Sequence, residues 1–323
     1  MEVLASGTGE FRLPNPDEMR AWVREHKVRK PVDKVLTEQE AISRFVNDGD
    51  YVAYDMNVAA RGPVSLFREI IRQRKKDLWL AAKFNWSDVT LLVAGGCVSK
   101  VDVGWMETGA IINSALREDR LKFIEWTNGA LSYRLLAGAL GVSFLPMRYV
   151  GGTDVFEKSG AKLIEDPYTG KPVVLVPALN PDVGLIHVHE CDVSGNARIY
   201  GAGVAPKEIA MASKKVIIST EQIISNEEIR RNPQRTTIPY YLVDAVVVAP
   251  FGGYPGSVPG RYVGDFENVF EFAVSQMQGT TDQYLEKYVY SVSSHEEMLE
   301  KRVGAAKLVK LMQGETVREG YHE

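Results

Sequence analysis

From Thr37 onward, segments whose apolar residues recur at helical spacing alternate with short runs rich in valine and isoleucine. That alternation restricts the chain to a layered α/β fold. The helical segments are marked at their starts. Thr37-x-x-Glu40 has the form of a capping box, and Ala41, Ile42, Phe45 and Val46 follow it on one face. Ser225-x-x-Glu228 and the run Ser293-Ser294-His295-Glu296-Glu297 give the same kind of signal later, before a last amphipathic stretch over 303–312. Asp48-Gly49-Asp50 turns the chain into a strand over 51–54, and 62–75 reads as a helix with Leu66, Phe67, Ile70 and Ile71 inward. Strands are expected at 78–82, 101–106, 122–126 and 144–149, with helices at 89–93 and 129–139. The runs 173–177, 183–189, 216–218 and 243–249 are continuously apolar, which suits strands buried on both faces of a parallel sheet. The expected fold class is α/β, an open, mainly parallel sheet covered by helices, in a single domain over 37–323.

Residues 1–36 read as an N-terminal extension with one helix. Asn15-Pro16-Asp17-Glu18 supplies a cap, a proline suited to the first helical position and an acidic first turn. The helix runs to about Lys27 with Met19, Trp22 and Val23 on a face that needs covering, which makes it a candidate for extra interface with a partner. Arg24, Lys27, Arg29 and Lys30 cluster nearby and read as a solvated face.

Charge and composition narrow the function. With 38 Lys and Arg against 42 Asp and Glu, the chain lacks the basic balance that phosphate neutralisation demands, so no nucleic-acid partner is expected. No run reaches the ~20 apolar residues of a membrane helix, and the opening residues lack the basic and apolar regions of a signal peptide. Cys97 and Cys191 are the only cysteines, so no disulfide framework is in view, and a cytoplasmic protein is expected.

The common nucleotide and hydrolase motifs are missing. There is no G-x-G-x-x-G after a strand, no P-loop and no G-x-S-x-G; Gly170-Lys171 is followed by Pro172 and belongs to a turn. His187, His189 and Cys191 point to one face if their run is a strand, a set of zinc-ligand types. Residues two apart on a strand lie about 6.5–7 Å from each other, too far to converge easily on one ion, so no metal is expected. The better candidates lie beyond strand ends, where open α/β sheets bind ligands. The loop 251–262, with Gly252 and Gly253, is either a turn-rich surface loop or the wall of a site where backbone N–H groups approach a ligand. In the loop 55–63, Asn57 offers a donor and an acceptor, and Arg61 offers a fork for a carboxylate or phosphate; plain helix-entry chemistry explains them equally well. Lys83-Phe84-Asn85 ends the second strand, a position from which it could face the same crevice. Glu107 and Glu125 sit near strand ends, where a carboxylate can act as a base or simply as a polar partner.

The segment Pro181-Asp182-Val183-Gly184-Leu185-Ile186-His187-Val188-His189 and then Gly195-Asn196-Ala197-Arg198-Ile199-Tyr200-Gly201 resembles the A (alpha) subunit of family I CoA-transferases, the glutaconate type above all. The resemblance continues through Ala212-Ser213-Lys214-Lys215-Val216-Ile217-Ile218, Glu221, Glu227-Glu228-Ile229-Arg230-Arg231, Ile238-Pro239, Val243-Asp244-Ala245-Val246-Val247 and Ala249-Pro250-Phe251-Gly252. It covers roughly 37–312. The resemblance implies an enzyme subunit that helps move CoA from an acyl-CoA to a carboxylic acid, a dicarboxylic or 3-oxo acid, with the thioester as substrate and no permanently bound cofactor. It further implies that the thioester is attacked by a glutamate from a B-type partner, with this chain forming one wall of a site between subunits. No counterpart of the motif around that glutamate occurs here. Substrate contacts are expected from Asn57, Arg61, Asn85, Gly252 and Gly253, with Glu125 a possible catalytic carboxylate. Where the family often has a glycine pair after the first strand, this chain has Tyr54-Asp55-Met56-Asn57, which changes what fits against the catalytic group. Two alternatives therefore stand beside the transferase: a chain that helps to hydrolyse, ring-open or decarboxylate a CoA thioester, and a non-catalytic binding or regulatory subunit.

Overall fold

A computed structural model of the chain describes residues 2–201 and 203–315, apart from the side chains of Ala82 and Asn85. Along the chain the strands are β1 (Val3–Ser6), β2 (Val35–Leu36), β3 (Tyr51–Asp55), β4 (Leu78–Asn85), β5 (Val98–Met106), β6 (Lys122–Glu125) and β7 (Phe144–Met147). They continue as β8 (Lys162–Glu165), β9 (Pro172–Pro177), β10 (Val183–Val188), β11 (Glu190–Cys191), β12 (Ala197–Arg198), β13 (Lys215–Thr220) and β14 (Ala245–Val248). Eight of them form one sheet in the order β2-β14-β13-β10-β3-β4-β5-β6, and every pairing in it is parallel. The expected parallel sheet under helices is borne out.

Strand β3 shows why the sheet sits where it does. All five of its residues are buried, and they alternate between two apolar layers. Val52 and Tyr54 join the layer that includes Leu66, Phe67 and Ile70 of the helix Val64–Arg72. Tyr51 and Ala53 join the opposite layer, with Leu131 and Leu135 of the helix Asn128–Leu140 and Ile209 of the helix Pro206–Ala212. Each fully buried aliphatic side chain contributes about 1.5–3 kcal/mol of transfer free energy. Asp102 of β5 pins the second layer to the sheet: it accepts from Arg134 Nη1 at 2.6 Å, from Trp79 Nε1 at 3.0 Å and from the Tyr51 hydroxyl. Arg134 and Asp102 have no side-chain exposure, and the guanidinium lies 4.1 Å from the centre of the Trp126 ring.

One expectation is corrected. The run 173–177 is β9, and it belongs to a second, antiparallel sheet of order β1-β8-β9-β7. Its Val174 and Val176 are buried while Val173 and Leu175 stay half-buried, so it is covered mainly on one face. A continuous apolar run is compatible with both settings, and sequence periodicity does not separate them. The opening residues, which carry no readable pattern, supply β1 at the edge of this small sheet.

The helix Pro16–His26 starts as expected, with the Asn15 side chain accepting from Asp17 N at 2.9 Å. Its apolar face finds cover in its own chain, since Met19 is buried and Trp22 stacks on His26. Lys27, expected on a solvated face, is buried and donates to Leu242 O at 2.8 Å and to Asp244. Among the described residues no helix is long and apolar enough to cross a membrane.

Candidate functional site

Strand order reverses at β3. From there the chain winds outward through β4, β5 and β6, returns to β10 on the other side of β3, and winds away through β13 and β14. Such a switch point leaves a crevice at the strand C-termini, because successive loops diverge to either side. Two loops of this chain, 56–62 and 251–262, meet there.

The first loop is a tight turn. Asn57 N donates to Ala60 O at 3.1 Å and Ala60 N returns to Asn57 O at 2.8 Å, with Val58 and Arg61 at positive φ. Asp55, the last residue of β3, has no exposure; its Oδ1 accepts from the N–H groups of Val204 at 3.0 Å and Ala205 at 2.8 Å, and its Oδ2 binds Arg61. Arg61 is itself 1% exposed, and its Nη1 donates to His187 O at 3.0 Å. The arginine expected to fork a ligand thus forks Asp55 and the end of β10, bracing the two sides of the switch point. Asn57 keeps a half-exposed side chain on the turn and makes no side-chain hydrogen bond among the described residues. The turn is laced to the second loop: Arg61 N donates to Ser257 O at 2.7 Å, and Ser257 N donates to Ala59 O at 2.9 Å. Gly256 is required at this crossing, since a Cβ there would lie 2.0 Å from Ala59 O.

Beneath the second loop lies a buried polar hub that sequence reasoning missed. Glu221, just past β13, accepts from His187 Nε2 at 2.7 Å, from the Tyr262 hydroxyl at 2.9 Å and from Phe251 N at 2.8 Å. A ring nitrogen facing a carboxylate carries the proton, which leaves His187 Nδ1 to accept from Ser219 Oγ at 2.8 Å. Burial alone would raise the Glu221 carboxyl, but the donors from His187, Phe251 and Tyr262 outweigh it and hold the group below the ordinary carboxylate range. The N–H groups of Gly252 and Gly253, expected to face a ligand, are both used inside the loop: Gly252 N donates to Ala249 O at 2.9 Å and Gly253 N to the Tyr262 hydroxyl at 3.1 Å. Gly252 packs on the hub, with its missing Cβ only 2.6 Å from His187 Cε1. Glu221 belongs to the stretch that carries the family resemblance, yet its pairing with His187 is a contact between adjacent strands and leaves no local pattern.

The remaining candidates scatter. His189 donates from Nε2 to Pro259 O at 2.8 Å and accepts Tyr200 N at Nδ1, so it turns away from His187. Burial pushes the Cys191 thiol up to about 12. Among the described residues no group of three His, Cys, Asp or Glu side chains is placed to hold a metal. Lys83 donates to Val204 O at 2.9 Å behind the first loop, with its ammonium pushed below its ordinary pKa by burial. Asn85 ends β4, and its side chain lies outside the described residues. Glu107 is exposed beyond β5. Glu125 ends β6, the outermost strand, and accepts from Lys158 Nζ at 2.9 Å. Three strand spacings separate it from Asp55, about 14 Å.

A second missed group borders the turn. Asp88, at the start of the helix Ser87–Ala94, accepts from Trp86 N at 2.6 Å and from the Tyr54 hydroxyl. Burial is the largest influence on it and pushes its carboxyl up to about 6.

The family model for coenzyme A transferases matches residues 35–249, more than half of the chain. The chain belongs to the coenzyme A transferase family. The matched span opens with β2 and closes just past β14, so it takes in the whole parallel sheet of this transferase-family chain. An uncharacterised protein of Archaeoglobus fulgidus is 42% identical over 99% of this chain and 73% of its own length. The A subunit of glutaconate CoA-transferase from Acidaminococcus fermentans is 30% identical over 87% of this chain and 95% of that one. The crystal structure of that organism's glutaconate coenzyme A-transferase superposes with a TM-score of 0.82 at 29% identity, covering 86% of this chain and 95% of the other. The decarboxylase AibA/AibB matches with a TM-score of 0.71 at 26% identity, over 78% of this chain and 97% of the other. The resemblance to the glutaconate-type A subunit is thereby borne out.

Proposed function

We propose that this chain is the A-type component of a two-subunit CoA-transferase that moves CoA between an acyl-CoA and a carboxylic acid, a dicarboxylic or 3-oxo acid. The observation that carries the reading is the state of the two carboxylates at the switch point. Asp55 is buried, the Glu221 side chain is only 7% exposed, and each carboxylate is held by at least three donors. A carboxylate bound in that way is a poor nucleophile. Their work is to hold two loops in place, which supports an attacking carboxylate supplied by a partner. In the reaction so proposed, the partner's carboxylate oxygen adds to the thioester carbonyl and CoA thiolate leaves, giving a mixed anhydride. The thiolate then attacks the partner's own carbonyl in that anhydride and releases the first acid. The second acid runs the steps in reverse and leaves as the new thioester. Among the residues of this chain, we assign Asn57 to substrate contact and Arg61, Gly252 and Gly253 to holding the loops that make the wall. Glu125 is left as an ion-pair partner of Lys158.

The helix Phe266–Gln278 follows directly from the second loop, through Asp265 N to Pro255 O at 2.8 Å. Its Phe266, Phe270, Val274 and Met277 form an exposed apolar stripe, the surface we assign to the B-type partner. Both cysteines are free and buried, which suits a reducing cytoplasm.

The test is co-expression with a B-type partner, incubation with candidate acyl-CoAs, and mass spectrometry of the intact subunits. A CoA-sized adduct on the partner, released by a carboxylic acid, is the expected result, and Phe270→Glu with Met277→Glu should abolish co-purification. Consumption of acyl-CoA to a shortened, ring-opened or free acid without an adduct would replace the transfer reaction by decarboxylation or hydrolysis.

A further inference from the structure

Where the helix Pro16–His26 lies against the end of the helix Asn128–Leu140, an open pocket of about 260 Å3 forms between them. Leu140, Val142 and Met211 give it an apolar side, and all three remain exposed. Arg20, Arg24 and Arg29 supply all of its charge, and among the described residues no carboxylate lines it. The three arginines precede residue 35, where the match to the family model begins, so the charged half of the pocket is an addition to the transferase scaffold.

The arginines are not equally engaged. Arg20 Nη2 donates to Gly141 O at 3.1 Å and so caps the end of the neighbouring helix, while its Nη1 reaches the exposed Asp17 at 3.3 Å. Arg24 and Arg29 make no side-chain hydrogen bond or ion pair among the described residues. The chain around Arg29 is held by other groups: the Tyr240 hydroxyl donates to Arg29 O at 3.0 Å, and Lys27 is pinned to Leu242 O and Asp244. The fold therefore delivers both guanidinium groups to the pocket without supplying either with an anion. Arg20 and Arg24 also stand four residues apart on one helix, a spacing at which like charges repel.

A ligand with two or more negative charges matches such a group of cations, and the planar guanidinium fork fits phosphate oxygens. The uncovered apolar side chains beside them match a flat or apolar body on the same ligand. The pocket is at the edge of the sheet opposite the crevice. Asn180, which lines it, comes just before β10, whereas the crevice is at the other end of that strand. The six residues of β10 separate the two by roughly 20 Å.

We propose that this pocket is a ligand site in its own right and that it takes a phosphorylated small molecule with a flat or apolar body, of the class of the nucleoside diphosphates. The phosphates meet Arg24 and Arg29, and the body covers Leu140, Val142 and Met211. Binding there does not depend on the chemistry proposed for the crevice.

Titration calorimetry of the full chain with ADP, adenosine and inorganic pyrophosphate tests this. ADP should bind about tenfold or more tighter than adenosine, which lacks the charge, and severalfold tighter than pyrophosphate, which lacks the body. Arg24→Gln with Arg29→Gln should weaken ADP by about tenfold, with the fold checked by circular dichroism. Leu140→Gln with Met211→Gln should weaken ADP and leave pyrophosphate unchanged. Arg117→Gln with Arg230→Gln, a pair of exposed arginines elsewhere on the chain, controls for the loss of charge alone. Absence of ADP binding at millimolar concentration, or equal affinities for ADP and pyrophosphate, overturns the assignment. So does ADP binding that survives in the Arg24, Arg29 variant, or a loss just as large in the control.

Discussion

Replacing Glu221 by alanine removes the acceptor at the centre of the buried hub and strands three donors: the Nε2–H of His187, the Tyr262 hydroxyl and the Phe251 N–H. Each buried donor left without a partner costs about 1–3 kcal/mol, so the three together set a range of roughly 3–9 kcal/mol. The loss should fall near 4–5 kcal/mol, in the lower half of that range, because the Tyr262 hydroxyl can rotate and water can enter the space of the lost side chain. That is a large part of the ~5–15 kcal/mol stability of an ordinary domain. Glu221→Gln should be milder, at about 1–2 kcal/mol. The amide oxygen keeps one acceptor, and His187 can move its proton to Nδ1, donate to Ser219 and accept from the new NH2 group. Urea unfolding followed by tryptophan fluorescence, at an unchanged m-value, reads both losses. Because the folded carboxyl titrates below its ordinary value of 4.5, the group's contribution should be whole above that pH and fade as the pH falls further. An alanine variant that loses less than about 1 kcal/mol, or a glutamine variant that loses as much as alanine, would refute the hub.

Three further outcomes are expected. Arg134→Met leaves Asp102 buried without its cation and should destabilise the chain by about 3–5 kcal/mol, whereas the joint Arg134→Met, Asp102→Leu replacement should recover most of that in the same unfolding assay. Asp88 has a folded pKa of about 6 against an ordinary value of 3.8, so the native state holds its proton more tightly, and stability should fall as the pH rises through that window, by up to about 3 kcal/mol. The difference between Asp88→Asn and the unmodified chain, measured from about pH 4 to 7.5, isolates this slope, and a flat difference would contradict it. Gly256→Ala places a methyl group against Ala59 O and should lower the melting temperature and free the 56–60 turn, seen as faster amide exchange at Ala60 and Arg61.

Local chemistry was readable from the chain wherever it acts locally. Thr37, Asn15 and Ser225 cap the helices they were expected to cap, because a cap needs only residues three or four apart. The apolar runs at 183–189, 216–218 and 243–249 became β10, β13 and β14 of the parallel sheet for the same reason. The run 173–177 went to the antiparallel sheet instead, since its setting depends on which strands arrive beside it. At the site, position was readable and direction was not. That Arg61 lies in a loop beyond a strand follows from spacing; that its fork turns inward depends on a carbonyl 126 residues later. Glu221 illustrates the same limit, as its hub exists only once distant elements have packed.

The placement of β3 also sets the order in which a growing chain becomes safe from its neighbours. On one side β3 is paired by β4, which follows within thirty-odd residues, but its other side waits for β10. At roughly 5–20 residues per second, the 126 residues from Arg61 to His187 take about 6–25 s to emerge from a ribosome. Throughout that interval the apolar strand at the centre of the finished sheet is an open edge, the kind of surface that recruits foreign strands. Nascent chains stalled before β10 are therefore the species in which chaperone demand and inclusion-body formation should concentrate.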